Sequence, residues 1–239
     1  DNRDIGLSQH FDHLGSPSLL WEGLKFRLGW RIRPPYGIED MATDTVGVLD
    51  ALKIAKAHVV GVSMGGMIAQ RVAVLAPSRV ISLTSIMSSS GARGLPEASP
   101  AVTRVLLSRP GKGVQAAVDH TARLLKAIGS PGFPTADAEL REKVAAAAQR
   151  SFHPQGVLRQ MVAIAADSAR ATALARVTSP TLVLHGRADP LVPMACGQDT
   201  AKRIAGARFE SIEGMGHDLP PGVVERLLAF MIPHFKAHT

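Results

Sequence analysis

From His58 to Pro77 the chain passes through a short β-branched apolar run, a glycine-rich turn and an apolar stretch that Pro77 stops. The run His58 to Val62 reads as a strand, Gly61-Val62-Ser63-Met64-Gly65-Gly66 as a tight turn, and Met67 to Ala76 as a helix. Three further apolar runs, Val80 to Met87, Thr181 to His185 after Pro180, and Phe209 to Ile212, read as strands. They are continuously apolar rather than alternating, the pattern of parallel strands covered on both faces. Upstream, Met41, Val46, Leu49 and Leu52, interleaved with Asp40, Asp44 and Asp50, give Glu39 to Leu52 the spacing of a half-buried helix packed on that sheet. The fold class is therefore α/β, a mostly parallel sheet flanked by helices.

The segment between the second and third strands has a different texture. Breaks at Gly94-Leu95-Pro96, Ser130-Pro131-Gly132 and His153-Pro154 separate helical runs at Gly113 to Ile128, Thr135 to Arg150 and Gly156 to Ala169. In the second run Thr135 can cap, Asp137 and Glu139 fall in the first turn and Arg150 at the end, as the helix dipole favours. The expected organisation is a core of residues 1–90 and 173–239 with a helical cap at 91–172. One core with a sizeable insertion suits 239 residues better than two independent units.

A chain that is 46% hydrophobic and 20% charged has a packed core, which excludes disordered and fibrous classes. Its longest apolar stretch, Val59 to Ala69, is broken by glycines and Ser63 and ends at Arg71, so no membrane span is expected. The sequence starts at Asp1 with neither a methionine nor a basic-then-apolar leader, and a cytoplasmic location is the expectation. Cys196 is the single cysteine; it has no disulfide partner or zinc-site companions and reads as a buried, inert thiol. A net charge of +7 raises the question of an anionic partner, but most basic residues are scattered. The one local group, Lys25, Arg27, Arg31 and Arg33 with Trp21, Phe26 and Trp30 between them, reads as a solvated loop with a few buried rings; an anionic-partner patch is the competing reading. No nucleic-acid partner is expected.

Chemistry concentrates at three places. Gly61-x-Ser63-x-Gly65, between a strand and a helix, is the pattern of a nucleophile elbow, in which flanking glycines let the backbone bend and the serine hydroxyl project above the sheet. A serine needs a base to accept its proton, and the base needs an orienting acid. Asp189 lies four residues beyond the third strand's His185, and His217 follows the fourth strand in Gly214-Met215-Gly216-His217. Both loops leave strand carboxyl ends, where parallel α/β sheets place ligand chemistry.

These motifs, in this order, resemble those of α/β-hydrolases of the serine-hydrolase branch: Gly61-Val62-Ser63-Met64-Gly65-Gly66, His185-Gly186-x-x-Asp189-Pro190 and Gly214-x-Gly216-His217. Asp1-Asn2-Arg3-Asp4-x-Gly6-x-Ser8 is similar to the segment after that family's fourth strand. Gly214-Met215-Gly216-His217 before Leu219-Pro220, and Asp40-Met41-Ala42-x-Asp44, look most like the aclacinomycin methylesterase-like and pimeloyl-ester-esterase-like carboxylesterases. The resemblance implies a carboxylic ester hydrolase with Ser63 as nucleophile, His217 as base and Asp189 as its orienter, acting on small or apolar esters, methyl esters included, without metal or cofactor. It also implies an oxyanion hole made by the Met64 N–H and a second donor upstream of Asp1, so a longer polypeptide, of which this chain lacks the first strands, is expected. Serine rather than aspartate at the elbow speaks against dehalogenase and epoxide-hydrolase chemistry. Perhydrolysis, acyl transfer and C–C hydrolysis use the same triad, and a non-catalytic or weakly active binding protein on the same fold is the alternative of a different class. Oligomeric state is not legible.

The remaining candidates have plainer readings. His185, at a strand end, is expected to be a packed structural histidine. Asp218 is expected to cap the last helix rather than compete with Asp189. Arg3, Asp4 and Ser8 are expected to bind a turn together. His120 and His153 have no partner at metal-ligand spacing along the chain and read as cap-surface residues. Met64, Met67, Met87 and Met215 flank the candidate site as core filling, with Met64 and Met215 as the candidate floor of an apolar acyl pocket. Gly65-Gly66 lacks the following Lys-Ser/Thr of a phosphate loop.

Overall fold

The computed structural model describes residues 1–108, 111 and 113–238. The part of the expected cap at 109, 110 and 112 lies outside the described residues. Four strands, β1 (Ala57–Val62), β2 (Val80–Ile86), β3 (Thr181–Gly186) and β4 (Arg208–Ile212), form one sheet in the order β1-β2-β3-β4, every pair parallel. Val62 pairs with Ile86, Ile86 with Leu184, and Gly186 with Ile212, so the carboxyl ends of all four strands share one rim. The continuous apolar runs have the expected cause in the central strands only, since the edge strands β1 and β4 are buried at one position each. β3 is buried along its whole length, and β2 at six of seven positions.

Helices cover both faces. α1 (Leu19–Arg27), α2 (Ile38–Ala51) and α3 (Met64–Leu75) precede or connect the first strands. Met41, Ala42, Val72, Ala73 and Leu83 from α2, α3 and β2 meet in one core cluster. α9 (Met194–Arg203) links β3 to β4, and α10 (Pro221–Lys236) sends Val223 and Leu227 into a second cluster with Ile86, Leu182, Leu184 and Ile212. Fully burying one such side chain contributes roughly 1.5–3 kcal/mol, so these clusters fix how the helices sit on the sheet.

Between β2 and β3 run α4 (Pro100–Leu107), α5 (Val114–Ile128), α6 (Asp137–Arg150), α7 (Pro154–Ala166) and the short α8 (Arg170–Ala173). The starts of α6 and α7 differ from the expected ones for local reasons, and α7 ends at Ala166 rather than Ala169. α6 begins at Asp137 with Ala136 at the cap position and no side-chain cap, so Thr135 does not cap it. α7 begins at Pro154, because a proline at the first helical position loses no hydrogen bond there. The largest difference is at Trp21 to Arg33. Its first part is a helix rather than a loop, capped by Ser18, whose hydroxyl accepts the Trp21 N–H. The rings of Trp21, Phe26 and Trp30 are exposed, not buried.

Candidate active site

Ser63 sits between β1 and α3 with φ 53° and ψ −119°, a left-handed conformation that a non-glycine residue rarely adopts. The bend is tight enough that a Cβ on Gly61 would lie 2.0 Å from the Gly65 carbonyl oxygen. Gly61 is therefore a steric requirement. A Cβ on Gly65 would meet nothing, so the second flanking glycine is not required by space, whereas one on Gly66 would lie 2.6 Å from Ser88 Cβ. The Ser88 hydroxyl donates to the Ser63 carbonyl at 2.7 Å, fixing the turn from β2's end.

The rim then brings together residues far apart in the chain. The Ser63 hydroxyl lies 2.9 Å from His217 Nε2, and His217 Nδ1 lies 2.7 Å from Asp189 Oδ2. With its proton on Nδ1, His217 donates to Asp189 and accepts from Ser63. The other carboxylate oxygen of Asp189 accepts the N–H groups of Leu191 at 3.0 Å and Val192 at 2.8 Å. Burial pushes the Asp189 pKa up, but hydrogen bonds from His185, His217 and the Val192 N–H outweigh it and hold the carboxyl below its ordinary value. Asp189 is thus a buried carboxylate kept ionised by donors. His185, fully buried, places Nε2 2.7 Å from the Val192 carbonyl, so it bonds the loop that carries Asp189.

Met64 begins α3, and the first N–H groups of a helix lack intrahelical partners. Among the described residues its N–H has no backbone acceptor, and it lies beside Ser63 where the helix dipole also favours negative charge. Such a set can activate a hydroxyl, shuttle its proton and meet an anion forming next to it.

The model of the alpha/beta hydrolase fold matches residues 15–220. The chain belongs to the α/β hydrolase fold family. Within that family it is 30% identical to the rhodomycin D methylesterase of Streptomyces sp. (strain C5), an alignment that covers 100% of this chain and 80% of the relative. The enol-lactonase structure from Burkholderia xenovorans is 25% identical, with a TM-score of 0.60 over 85% of this chain and 75% of that one. A meta-cleavage product hydrolase from Pseudomonas fluorescens superimposes with a TM-score of 0.69 over 85% of this chain and 73% of its own; at 20% identity that likeness shows the fold.

Other residues of this α/β hydrolase stand differently from the sequence reading. Asp218 does not cap α10, whose cap position is Pro220; it accepts the Ser130 hydroxyl instead. The Ser130 oxygen in turn accepts the Gly216 N–H at 2.8 Å, and the His217 N–H donates to the Ile128 carbonyl at 2.7 Å. Ser130, unremarkable in the sequence, thereby ties the His217 loop to the end of α5. Met215 is fully buried in the second core cluster and offers no surface to a substrate, while Met64 packs against the first cluster and is only half-buried.

Of Arg3, Asp4 and Ser8, Arg3 leaves the turn to pair with Asp44 at 2.6 Å, whereas Ser8 closes it through the Asp1 carbonyl at 2.7 Å and Asp4, besides accepting from Arg159, bonds it through the Phe11 N–H at 3.0 Å and the Gln9 carbonyl at 2.8 Å. His120 bonds Ser108 and Val105 within the insertion. His153 has neighbours that its chain position hides: it stacks on His10, and with Asp12 these residues form a group that could hold a metal ion. The Arg159 guanidinium already engages that group, 3.0 Å from Asp12 and 3.1 Å from His153 Nε2. Cys196 is free and buried, and burial raises its thiol pKa.

Proposed function

We propose that this α/β hydrolase cleaves carboxylic esters through a covalent acyl-enzyme, with Ser63 as nucleophile, His217 as base and acid, and Asp189 as its orienter. The observation that carries the reading is the unbroken hydrogen-bonded chain from the Ser63 hydroxyl through His217 to a buried, ionised Asp189, set on a strained strand-to-helix turn. Ser63 Oγ adds to the ester carbonyl carbon as His217 Nε2 takes its proton, and the carbonyl oxygen becomes an oxyanion facing the Met64 N–H. Collapse breaks the bond to the alkoxy oxygen, which leaves as the alcohol with the proton from His217. Water then adds to the acyl-enzyme by the same route, the carboxylic acid departs and Ser63 regains its proton. None of these steps calls on a metal or an organic cofactor.

Two relatives bear on the substrate. One is named a methylesterase and another an enol-lactonase, and both a methyl ester and an enol lactone present the same acyl carbon to a serine. A small or apolar ester is the substrate class proposed here. In the same reading residues 91–172 act as a cap, supported by the bonds from Ile128 and Ser130 to the loop that carries His217.

The test is hydrolysis of a short-chain p-nitrophenyl ester together with labelling by a fluorophosphonate. Turnover should fall at least about 10⁴-fold in Ser63→Ala, and labelling should disappear with it. Hydrolysis that survives Ser63→Ala would overturn the reading. Binding of an ester without turnover or labelling would support a binding protein instead.

A further inference from the structure

The segment from Leu19 to Arg33 takes no part in the chemistry above, and its surface is unusual. Leu20, Trp21, Leu24, Phe26, Leu28 and Trp30 are all more than two fifths exposed, with Leu20 at 76%, Trp21 at 50% and Trp30 at 54%. Soluble proteins scatter large apolar side chains singly over their surface; six within eleven consecutive residues form a patch of the kind that marks an interaction site. Leu20, Leu24 and Leu28 follow one another at helical spacing along the same stripe, and the two indoles lie edge to face, 6.4 Å apart.

The patch also carries charge. Arg27, Arg31 and Arg33 are exposed beside it, and among the described residues no carboxylate lies within ion-pair distance of them. Lys25 is the exception, paired with Glu22 at 2.7 Å. Next to the patch, Phe26, Trp30, Arg31 and Arg93 line a cleft of about 470 Å³, within the ordinary range for small-ligand sites. Two carboxylates also line it. Asp167 is bound by Arg71 and Arg170, and Glu39 lies 3.6 Å from Arg71, so the cations facing the cleft are Arg31 and Arg93.

We propose that this face docks the protein on an anionic phospholipid surface, with the leucines and indoles in the headgroup layer and Arg27, Arg31 and Arg33 on lipid phosphates. Amphipathic tryptophans favour the water–bilayer boundary, and arginines keep their heads at phosphate level while their stems lie along apolar chains. A second copy of the chain fits the charge poorly, because the patch would meet its own arginines and each protein carries a net charge of +7. An anionic bilayer complements both the charge and the apolar area. The proposal is independent of the ester-hydrolase reading, since no residue in it belongs to the candidate active site.

Trp21 and Trp30 are the only tryptophans, so fluorescence excited selectively in tryptophan, leaving Tyr36 silent, reports on this patch alone. The full chain is mixed with vesicles of phosphatidylcholine alone or of phosphatidylcholine with phosphatidylglycerol, and emission and co-sedimentation are recorded. The anionic vesicles should shift the emission to the blue and sediment the protein, phosphatidylcholine alone should do neither, and high salt should reverse both effects. Combining Arg27→Ser, Arg31→Ser and Arg33→Ser should weaken partitioning about 100-fold, with unchanged circular dichroism. The wild-type arms decide the matter without any variant. Unchanged emission with anionic vesicles, or an equal shift with neutral ones, overturns the proposal. A blue shift that grows with protein concentration without lipid would assign the patch to a second copy, and one produced by polyglutamate but not by vesicles would assign it to an acidic polypeptide; either also overturns it.

Discussion

At the scale of single residues, the candidate site works by fixing protonation states. Asp189 is 6% exposed, and a carboxylate buried that far would ordinarily take up a proton. The N–H groups of Leu191 and Val192, together with His217, satisfy it as an anion, and His185 bonds the loop that supplies those N–H groups. An ionised Asp189 accepts only, so it holds the His217 proton on Nδ1 and leaves Nε2 free for Ser63. Asp189→Asn preserves the shape but offers an amide N–H that stabilises the wrong tautomer. Steady-state kinetics of that variant should show kcat lowered by about 10⁴-fold with a much smaller change in KM. The meeting of Ser63, Asp189 and His217 is legible in the sequence, because the strand-to-helix bend at Ser63 needs glycine at Gly61 and the other two sit just past recognisable strands. Ser130 was not legible: a serine between helices carries no pattern, and its role exists only because the fold brings it to Gly216 and Asp218.

At the scale of elements, apolar continuity locates all four strands to within a residue or two, although burial on both faces explains it only for the central β2 and β3. The helix α1 is not legible in the sequence because Leu19, Leu20, Trp21, Leu24 and Phe26 are spread around it, with the Leu20–Leu24 row only one part of that spread, so the one-sided pattern by which a helix shows itself is weak. The loop carrying His217 shows how elements cooperate. It is held by β4 on one side and by the end of α5 on the other, through Ile128 and Ser130. Ser130→Ala removes the acceptor of the buried Gly216 N–H and a donor to Asp218. An unsatisfied buried group costs about 1–3 kcal/mol, which in a chain of this size lowers Tm by roughly 2–10 °C. A displaced His217 should also lower kcat about 10–100-fold, since even an ångström of misplacement is costly in a catalytic constellation. Calorimetry and kinetics on Ser130→Ala, beside the exposed Lys143→Ala as control, measure both effects, and the control should change neither.

At the scale of the whole molecule, one buried ion pair joins segments that the sequence keeps far apart. Asp4 and Arg159 are each 0% exposed, and the carboxylate accepts from the guanidinium at two points, from the Tyr36 hydroxyl at 2.8 Å and from the Phe11 N–H at 3.0 Å. The amino-terminal segment, the approach to α2 and the helix α7 therefore meet at one carboxylate. Burial raises the Asp4 pKa, but Arg159, Phe11 and Tyr36 outweigh it and hold the group well below the usual carboxylate range. A depressed pKa contributes stability that is complete above the unfolded value of about 3.9 and is lost as the pH falls towards the folded one. Asp4→Asn takes away the buried partner of Arg159 and leaves it only the exposed Asp12 at 3.0 Å, and breaking a buried pair typically costs about 3–5 kcal/mol. Urea unfolding should therefore show the variant less stable by that amount at pH 7, with the gap from the wild type narrowing as the pH drops below about 4. A gap that stayed constant into acid would mean that the Asp4 charge is not what holds these segments together, and that Tyr36 and Phe11 packing alone carries the junction.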